Sequence, residues 1–324
     1  MRLVCVIALG LVALASPAAH AQSTADFPSG TVRLLVPFAA GGPTDVVARI
    51  LGELLSARWG GKTVVIENRP GAGTIVATAA VAKAAPDGHT LLIATNSLLI
   101  NPAINHSLPY DTIKELAPVS MIATQPVALL ATKSFGPSTV AEVVAEAKRQ
   151  PTHYTSPGPR GVGDLAGQML KQRAAIPDGN FTHINYNGSA PAQTDVIAGR
   201  VPLLFDIWHS ARRHVEAGSL KLIASASAER LPGAPEVPTI GESYPDFAVM
   251  AFNAVVAPAG VPAPVLEKLA EDIRAVVGSE AFLKRVENLG INAYGNRPAE
   301  LTAWMQREIA RWQQVTKAAN TKPD

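Results

Sequence analysis

The stretch VRLLVPFAAGGPTDVVARILGELLSARWGG, residues 32–61, decides the fold class of this chain. Its first part, 32–38, is an almost continuous apolar run, which predicts a buried strand. A turn at 39–43 follows, and beyond it apolar residues recur with the period of an amphipathic helix. These residues are Val47, Leu51 and Leu55, with Ile50 and Leu54 beside them.

The ends of this helix carry recognisable start and stop signals. Thr44 or Asp45 is expected to cap its N-terminus, and Trp59-Gly60-Gly61 is expected to end it. The next predicted elements are a strand at 64–67, a small-residue helix at 71–85 and a strand at 90–95. An alternation of strand and helix implies right-handed crossovers and a largely parallel sheet.

The alternation continues to the C-terminal region, so we expect an α/β protein throughout. Strands are predicted at 127–132, 153–156, 181–186, 201–206, 220–226 and 247–257, and helices at 139–149 (opened by a Thr139–Glu142 capping box), 163–173, 191–198, 208–217, 262–278, 279–289 and 298–318. We expect two lobes, 22–125 with 249–324 and 126–248, joined by crossings near 124–126 and 247–251. Sheets of this kind bind ligands in the cleft at the carboxyl ends of their strands.

Composition excludes several classes of protein. The chain has 324 residues, 48% of them hydrophobic, with a mean hydropathy of +0.16. Charged residues make up 17%, against roughly 25% in an average domain, which argues against disorder. A net charge of +2 gives no large basic surface for a nucleic acid. The length suits about two domains.

The first 21 residues have the layout of a secretory signal peptide. Arg2 precedes an apolar run at 3–15, and an Ala-x-Ala site ends at Ala21, so the mature chain is expected to begin at Gln22. The run of 13 residues is short against the roughly 20 that span a bilayer. Cys5 is the single cysteine and leaves with this segment, which excludes disulfides, cysteine nucleophiles and Cys-ligated metals from the mature protein. We expect a periplasmic protein.

Local catalytic and cofactor motifs are missing from the sequence. There is no GxxxxGKS/T, no GxGxxG after a strand, no GxSxG and no HExxH. Six histidines lie beyond residue 21, and none pairs with another at i, i+4: His89, His106, His153, His183, His209 and His214. We therefore expect no metal, nucleotide or redox cofactor. A catalytic triad assembled only in space stays open.

Three polar or Gly-rich turns, each expected to follow a strand, carry the candidate ligand chemistry: 37–45, 95–97 and 156–161. In the first, Gly41 and Gly42 let the backbone approach a ligand closely. The helices that follow such turns present free N–H groups and a dipole that favours an anion. Two such turns, one in each lobe, could hold the two carboxylates of a dicarboxylate. The alternative is that the turns are structural, as they are in many doubly wound domains.

Two charged residues in these turns have more than one interpretation. Asp45 either caps the helix or accepts a hydrogen bond from a ligand ammonium or hydroxyl group. Arg160 either clamps a carboxylate with both arms of its guanidinium or is simply solvated.

Several motifs in order along the chain resemble the Bug-type solute receptors, the periplasmic substrate-binding components of tripartite tricarboxylate transporters. The motifs are PFAAGGPTD (37–45), ENRPGAG (67–73), AAPDGHTLL (84–92), HINYNGSAPAQTDVIAGRV (183–201), PEVPTIGE (235–242), VAPAGVPAPV (256–265) and EIARWQQV (308–315). Together they cover essentially the whole mature chain, which makes the resemblance far more specific than any one motif.

The resemblance implies a type II periplasmic-binding-protein fold, with two α/β lobes and a carboxylate held between them. It also implies that the protein has no cofactor and delivers its ligand to a membrane permease. We further expect a monomer. Matching positions give a ligand-binding set of Phe38, Ala39, Gly41, Gly42, Thr44, Asp45, Thr95, Asn96, Ser156, Gly158, Arg160, Gly161 and Asp206.

The second-lobe turn departs from the family pattern. A run resembling SAGVGSSSH is expected there, but residues 156–164 read SPGPRGVGD, and the usual HVPY is HINY at 183–186. The ligand of this chain could therefore differ from that of commoner members. Two other functions stay open: a receptor that feeds a membrane sensor kinase, and an exported hydrolase, which would need a nucleophile and a base within hydrogen-bond reach.

Overall fold

A computed structural model describes residues 27–105, 107–157, 161–186, 188–287 and 291–318, with side chains up to residue 314. The predicted signal peptide and two of the predicted ligand residues, Gly158 and Arg160, lie outside the described residues.

Strands and helices alternate along most of the described chain. The strands are β1 (Val32–Val36), β2 (Val64–Asn68), β3 (Thr90–Ala94), β4 (Leu116–Thr132), β5 (Thr152–Pro157), β6 (Phe181–Tyr186), β7 (Leu203–Ile207), β8 (Leu220–Ser225), β9 (Met250–Pro258) and β10 (Asn292–Ala293). The helices are α1 (Pro43–Arg58), α2 (Ile75–Ala82), α3 (Asn96–Ile104), α4 (Val140–Arg149), α5 (Val162–Arg173), α6 (Ser189–Ile197), α7 (Trp208–Glu216), α8 (Ala263–Val277), α9 (Glu280–Glu287) and α10 (Pro298–Ala318).

The strands follow the order β2-β1-β3-β9-β4-β7-β5-β6, and β8 and β10 also pair with β4. β1 is parallel to β2 and β3, and β5 is parallel to β6 and β7. The centre is different, because β4 and β9 run antiparallel to each other and to their other neighbours. The prediction of a largely parallel sheet is therefore wrong for the centre, where the long strand β4 runs on from the first lobe into the second instead of returning through a helix.

β4 belongs to both lobes. Its residues 116–126 pair with β9 in the first lobe, and its residues 127–132 pair with β7 and β8 in the second. The two crossings are tied at Ser227, whose hydroxyl accepts from the Val127 N–H at 3.1 Å and donates to the Val249 carbonyl at 3.0 Å. The molecule is thus a two-lobed α/β protein whose crossings lie side by side.

Three buried clusters cover the faces of the strands. One packs α1, α8 and α9 on the first lobe, and a small one packs α6 and α7 on the second. The third runs through both lobes, and includes Leu99 of α3, Trp312 of α10 and Tyr154 of β5. Among the described helices, none is both long enough and apolar enough to cross a membrane. The core lies on the strand faces, so the loops at the strand ends remain accessible.

Several local predictions are confirmed and others are corrected. The capping box of α4 forms as predicted, since Thr139 Oγ1 accepts from the Glu142 N–H and Glu142 accepts in return. In contrast, β1 ends at Val36, and α1 begins at Pro43 with Gly42 as its N-cap. Neither Thr44 nor Asp45 caps it, because both already lie in the first turn.

Candidate functional site

The loop between β1 and α1 forms an exposed turn in the first lobe. Phe38, Ala39 and Gly41 are all exposed, and Gly41 has a left-handed φ of +84°. This conformation favours glycine. It turns the chain so that the Gly41 N–H donates to Asp45 Oδ2 at 2.9 Å. The loop is therefore folded back onto the first turn of the helix that follows it.

The Asp45 carboxylate holds this loop in place through hydrogen bonds. It accepts from Arg49 at 2.8 and 3.0 Å and from the Asn68 amide at 2.9 Å, and the same amide donates to the Phe38 carbonyl at 3.0 Å. Burial opposes ionisation, but the bonds from Arg49, Gly41 and Asn68 outweigh it and hold the pKa of Asp45 below its usual value. Both oxygens of Asp45 thus accept hydrogen bonds within the protein. Its predicted role as the cap of α1 is wrong, while its role as an acceptor for a ligand group stays a prediction.

The N-terminus of α1 has the features of an anion site. Gly42 is its N-cap in an extended conformation, and no side chain among the described residues caps it. Pro43 at the first helical position has no N–H, so Thr44 and Asp45 supply the N–H groups of this end. Those groups and the helix dipole favour a negative charge here.

The second predicted segment, Thr95 and Asn96, begins α3. The Asn96 side chain donates to the Met250 carbonyl at 2.9 Å and accepts from the Phe252 N–H at 3.2 Å, so it ties the start of α3 to β9. Thr95 is the N-cap of α3, but its hydroxyl makes no capping bond to the described residues. Asn96 is structural in this arrangement, while the Thr95 hydroxyl stays a candidate donor.

Two further residues that sequence reasoning missed reach this part of the first lobe. Asn253 of β9 donates to Thr44 Oγ1 at 3.3 Å, and Gln125 of β4 donates to Asn253 Oδ1 at 2.9 Å. Both are 1% exposed. A polar residue inside the apolar strand at 250–258 was the available signal for Asn253, whereas nothing in the sequence pairs it with Thr44.

The second-lobe turn is held by a different set of groups. Ser156 lies at the end of β5, and its hydroxyl is 2.8 Å from His183 Nε2 on β6. His183 Nδ1 is 3.6 Å from Asp164 Oδ1 on α5. Asp164 in turn accepts from the Tyr154 hydroxyl at 3.1 Å, and Gly161 is the N-cap of α5. The end of β5 and the start of α5, which flank the turn, are therefore joined by a buried Ser–His–Asp line.

This line has the order of a catalytic triad, which the sequence left open. Ser156, however, is 0% exposed, and a Cβ placed on Gly163 would come within 2.7 Å of the Ser156 Cβ. Burial lowers the pKa of His183, against the attraction of Asp164, so the ring is neutral at neutral pH. In this structure the enclosed hydroxyl is a structural support for the turn.

Asp206, the remaining predicted residue, lies near the end of β7 and is 1% exposed. It accepts from Ser189 Oγ at 3.0 Å, Gln193 Nε2 at 2.8 Å and the Ile207 N–H at 2.8 Å. Burial raises its pKa to about 6, although these bonds favour the charged form. Asp206 thus joins α6 to the start of α7. No cluster of three His, Cys, Asp or Glu suited to a metal occurs in the described ranges.

The structure brings the predicted residues together as two groups. Phe38, Ala39, Gly41, Gly42, Thr44, Asp45, Thr95 and Asn96 follow β1 and β3 in the first lobe, and Ser156, Gly161 and Asp206 follow or end β5 and β7 in the second. In the first group, a loop with backbone N–H groups lies over buried polar side chains, and in the second the described residues at the two ends of the turn adjoin buried polar side chains. The arrangement can bind an anion, and its polar groups are already oriented by the protein.

Comparison with known proteins identifies the family. A model of the tripartite tricarboxylate transporter family receptor matches residues 47–321. The chain belongs to this family. A UPF0065 protein of Bordetella bronchiseptica is 35% identical to the receptor, covering 97% of this chain and 92% of the relative. The protein BugT of Bordetella pertussis is 30% identical, and the match covers 99% of this chain and 98% of BugT.

Solved structures agree with this assignment. Rpa4515 of R. palustris, solved with adipate, has a TM-score of 0.82 at 31% sequence identity. The match covers 91% of this chain and 99% of the Rpa4515 chain. MatC from Rhodopseudomonas palustris, with bound malate, has a TM-score of 0.77 at 32% identity and covers 89% and 99%. The predicted periplasmic-binding-protein fold is confirmed. The chain is a solute-binding receptor and not an enzyme, and receptors of this family are periplasmic.

Proposed function

We propose that the receptor captures a small carboxylate, with one, two or three carboxyl groups, and delivers it to the membrane permease of a tripartite tricarboxylate transporter. The observation that carries the proposal is the N-terminus of α1, which no described side chain caps and which lies under a loop fixed by Asp45. Adipate and malate in two solved relatives of about the same identity support this ligand class.

The energetics are sufficient for a small acid. A helix N-terminus contributes about 0.3–1 kcal/mol and up to about 2 when partly buried. Hydrogen bonds to a charged oxygen add about 1.5–3 kcal/mol each. We assign the first-lobe contacts to Phe38, Ala39, Gly41, Gly42, Thr44 and Thr95, with Asp45 and Asn96 holding them in place. We assign the second-lobe contacts to Gly158, Arg160 and Gly161, with the buried Ser156 and Asp206 holding them in place.

The lobes are proposed to be 22–125 with 249–324, and 126–248. The change of partner strands within β4, between residues 126 and 127, supports the first boundary. We further propose export by a signal peptide that is removed after Ala21, and a monomer. Mass spectrometry of the native periplasmic protein tests the first point, and a retained Met1 contradicts it. Sedimentation of the mature chain tests the second.

The deciding experiment is a thermal-shift screen of the mature protein against mono-, di- and tricarboxylates, followed by calorimetry. A ligand at 100 times its dissociation constant adds about 2.7 kcal/mol to the stability. The matched variants are Gly42→Val and Gly136→Val. Gly42 has φ −78°, and an added Cβ meets only the Ala39 carbonyl at 3.7 Å, while one on Gly136 meets nothing within 4 Å.

We expect both variants to fold. Only Gly42→Val should lose at least tenfold in affinity, because its side chain obstructs the close approach of the ligand to the backbone. One charge-assisted hydrogen bond is worth more than the ~1.4 kcal/mol of a tenfold change in affinity. Wild-type affinity in Gly42→Val would make the loop merely structural. A screen in which no carboxylate stabilises the protein would overturn the proposal.

A further inference from the structure

The hydrogen-bonded line Gln125–Asn253–Thr44 links the crossing strands to the start of α1. We infer that Gln125 and Asn253 are positioning residues, which hold the Thr44 hydroxyl as a donor to a ligand carboxylate oxygen. This inference rests on the proposed function, because it concerns the same first-lobe site.

Strand register places the two amides on one face. Gln125 pairs with Ala251 and Ala123 pairs with Asn253 across β4 and β9. Side chains two residues apart on a strand share a face, so Gln125 and Asn253 are diagonal neighbours. The face they share is the one that meets Thr44 at the first turn of α1.

The bonds along this line have a direction. Gln125 Nε2 donates to Asn253 Oδ1, and Asn253 Nδ2 donates to Thr44 Oγ1. A threonine hydroxyl has one hydrogen, and here its oxygen already accepts, so the hydrogen is available to donate elsewhere. Within the described residues nothing accepts it. Thr44 is only half-buried and lies beside the N–H groups of α1, so its hydrogen adds a donor to the anion site.

The far end of the line is polar where apolar side chains would pack the strands equally well. Gln125 Oε1 is buried and has no hydrogen-bond partner in the part of the chain that is described. Buried polar networks that only stabilise a fold are normally fully satisfied, and exceptions concentrate at functional sites. Two apolar residues at 125 and 253 would pack the same strands without an unpaired acceptor. The amides are therefore better explained by what they do to Thr44.

The central variant is Asn253→Asp, which keeps the shape of the side chain but has only acceptors. It still accepts from Gln125 and now also accepts from the Thr44 hydroxyl, which turns that hydrogen away from the ligand. Affinities for adipate, L-malate and citrate are measured by calorimetry. We expect Thr44→Val and Asn253→Asp each to lose roughly tenfold, and Thr44→Ser to stay within about threefold of wild type.

The added negative charge of Asn253→Asp needs its own control. In the Thr44→Val background the hydroxyl is already gone, so Asn253→Asp should cost no further affinity if it acts through Thr44. An equal tenfold loss in that background would mean that charge repulsion explains the effect, and the inference would be overturned.

Gln125→Met separates positioning from structure, because Met keeps the length of the side chain without its polar atoms. We expect the melting temperature to hold or rise and the affinity to fall at least threefold. A lower melting temperature with unchanged affinity would overturn the inference. If the wild type binds none of the three acids and no other carboxylate of the screen, the proposed function fails and the inference fails with it. If the wild type binds but Thr44→Val costs nothing, only the inference fails.

Discussion

The two ligand loops of the receptor are anchored by different chemistry. The first-lobe loop is held by a charged carboxylate, Asp45, which pairs with the half-exposed Arg49. The second-lobe turn is held by a neutral contact, Ser156 with His183, which is almost fully enclosed. Each loop leads into a helix whose N-terminus carries no side-chain cap among the described residues. Two loops that each precede such a helix N-terminus are thus held by different side-chain interactions.

The difference determines how each loop responds to pH. The pKa of Asp45 is held below its usual value by its partners after the opposing effect of burial, so the first support stays charged in neutral and mildly acidic solution. Burial lowers the pKa of His183, so acid would force a charge into the second support. We therefore expect the first lobe to keep its loop at pH values where the second begins to lose its own.

The largest effect is expected from Asp45→Ala. The change leaves the Gly41 N–H and the Asn68 amide without their shared acceptor, and we expect a loss of about 2 kcal/mol in the free energy of unfolding. Ligand affinity should fall at least tenfold because the loop is no longer held. Urea unfolding and calorimetry measure the two quantities.

The matched control for this variant is Asp178→Ala, since Asp178 pairs with Lys171 but is fully exposed. Exposed ion pairs contribute little, so stability and affinity should both stay near wild type. A ligand that binds Asp45→Ala as tightly as wild type would show that the loop does not need this support.

Asp206→Asn is expected to have the next largest effect, seen in the pH dependence. Burial raises the pKa of Asp206 from 3.8 to about 6, so between these values the folded protein keeps a proton that the unfolded chain has lost. Wild-type stability therefore falls as pH rises through this window. The variant lacks this titration and should gain roughly 2 kcal/mol on wild type between pH 4 and 7, because about 1.4 kcal/mol corresponds to one pKa unit and part of the shift lies below pH 4. A constant difference across the window would contradict it.

The sequence predicted the loops but not what holds them. Gly41, Gly42 and the strand–helix pattern around them are local signals, and so is the capping box at Thr139. The supports join residues far apart in the chain, such as Asp45 with Asn68 and Thr44 with Asn253. No local periodicity encodes such a pair, because tertiary packing alone brings its members together.

Two of the elements missed by sequence reasoning, α3 and the first part of β4, share a physical cause. Pro102 lies inside α3, and Pro118 and Pro126 lie within β4, where proline normally argues against a helix or a central strand. Tertiary context overrides that preference here. In β4, Pro118 lies near a register shift, and Pro126 lies where the strand passes from one lobe to the other. The prediction consequently began this strand only at residue 127.

His183→Asn tests the proposed acid sensitivity of the second support. The folded protein binds a proton at His183 more weakly than the unfolded chain, whose histidine has a pKa near 6.5. Stability is therefore full above this value and is lost as pH falls below it. Burial also lowers the pKa of His209, so His209 adds to the loss of stability in acid. The quantity to measure is therefore the difference in unfolding free energy between wild type and His183→Asn at each pH. We expect the variant to lose less stability between pH 7 and 5, and equal losses would exclude His183 as the sensor.

Ser156→Ala should have the smallest effect and tests the direction of the Ser156–His183 bond. Asp164 on the Nδ1 side of His183 favours the neutral tautomer with its proton on Nδ1, and in that tautomer Nε2 accepts a hydrogen bond from the Ser156 hydroxyl. Its removal should cost about 1 kcal/mol at pH 7. Because the hydroxyl favours the neutral ring, its loss should also raise the pKa of His183 and reduce the further loss of stability on acidification.

Urea unfolding of Ser156→Ala, His183→Asn and the double variant forms a cycle, in which effects that share one contact are not additive. Strict additivity, or an unchanged pH slope in Ser156→Ala, would show that the serine does not support the turn through the histidine.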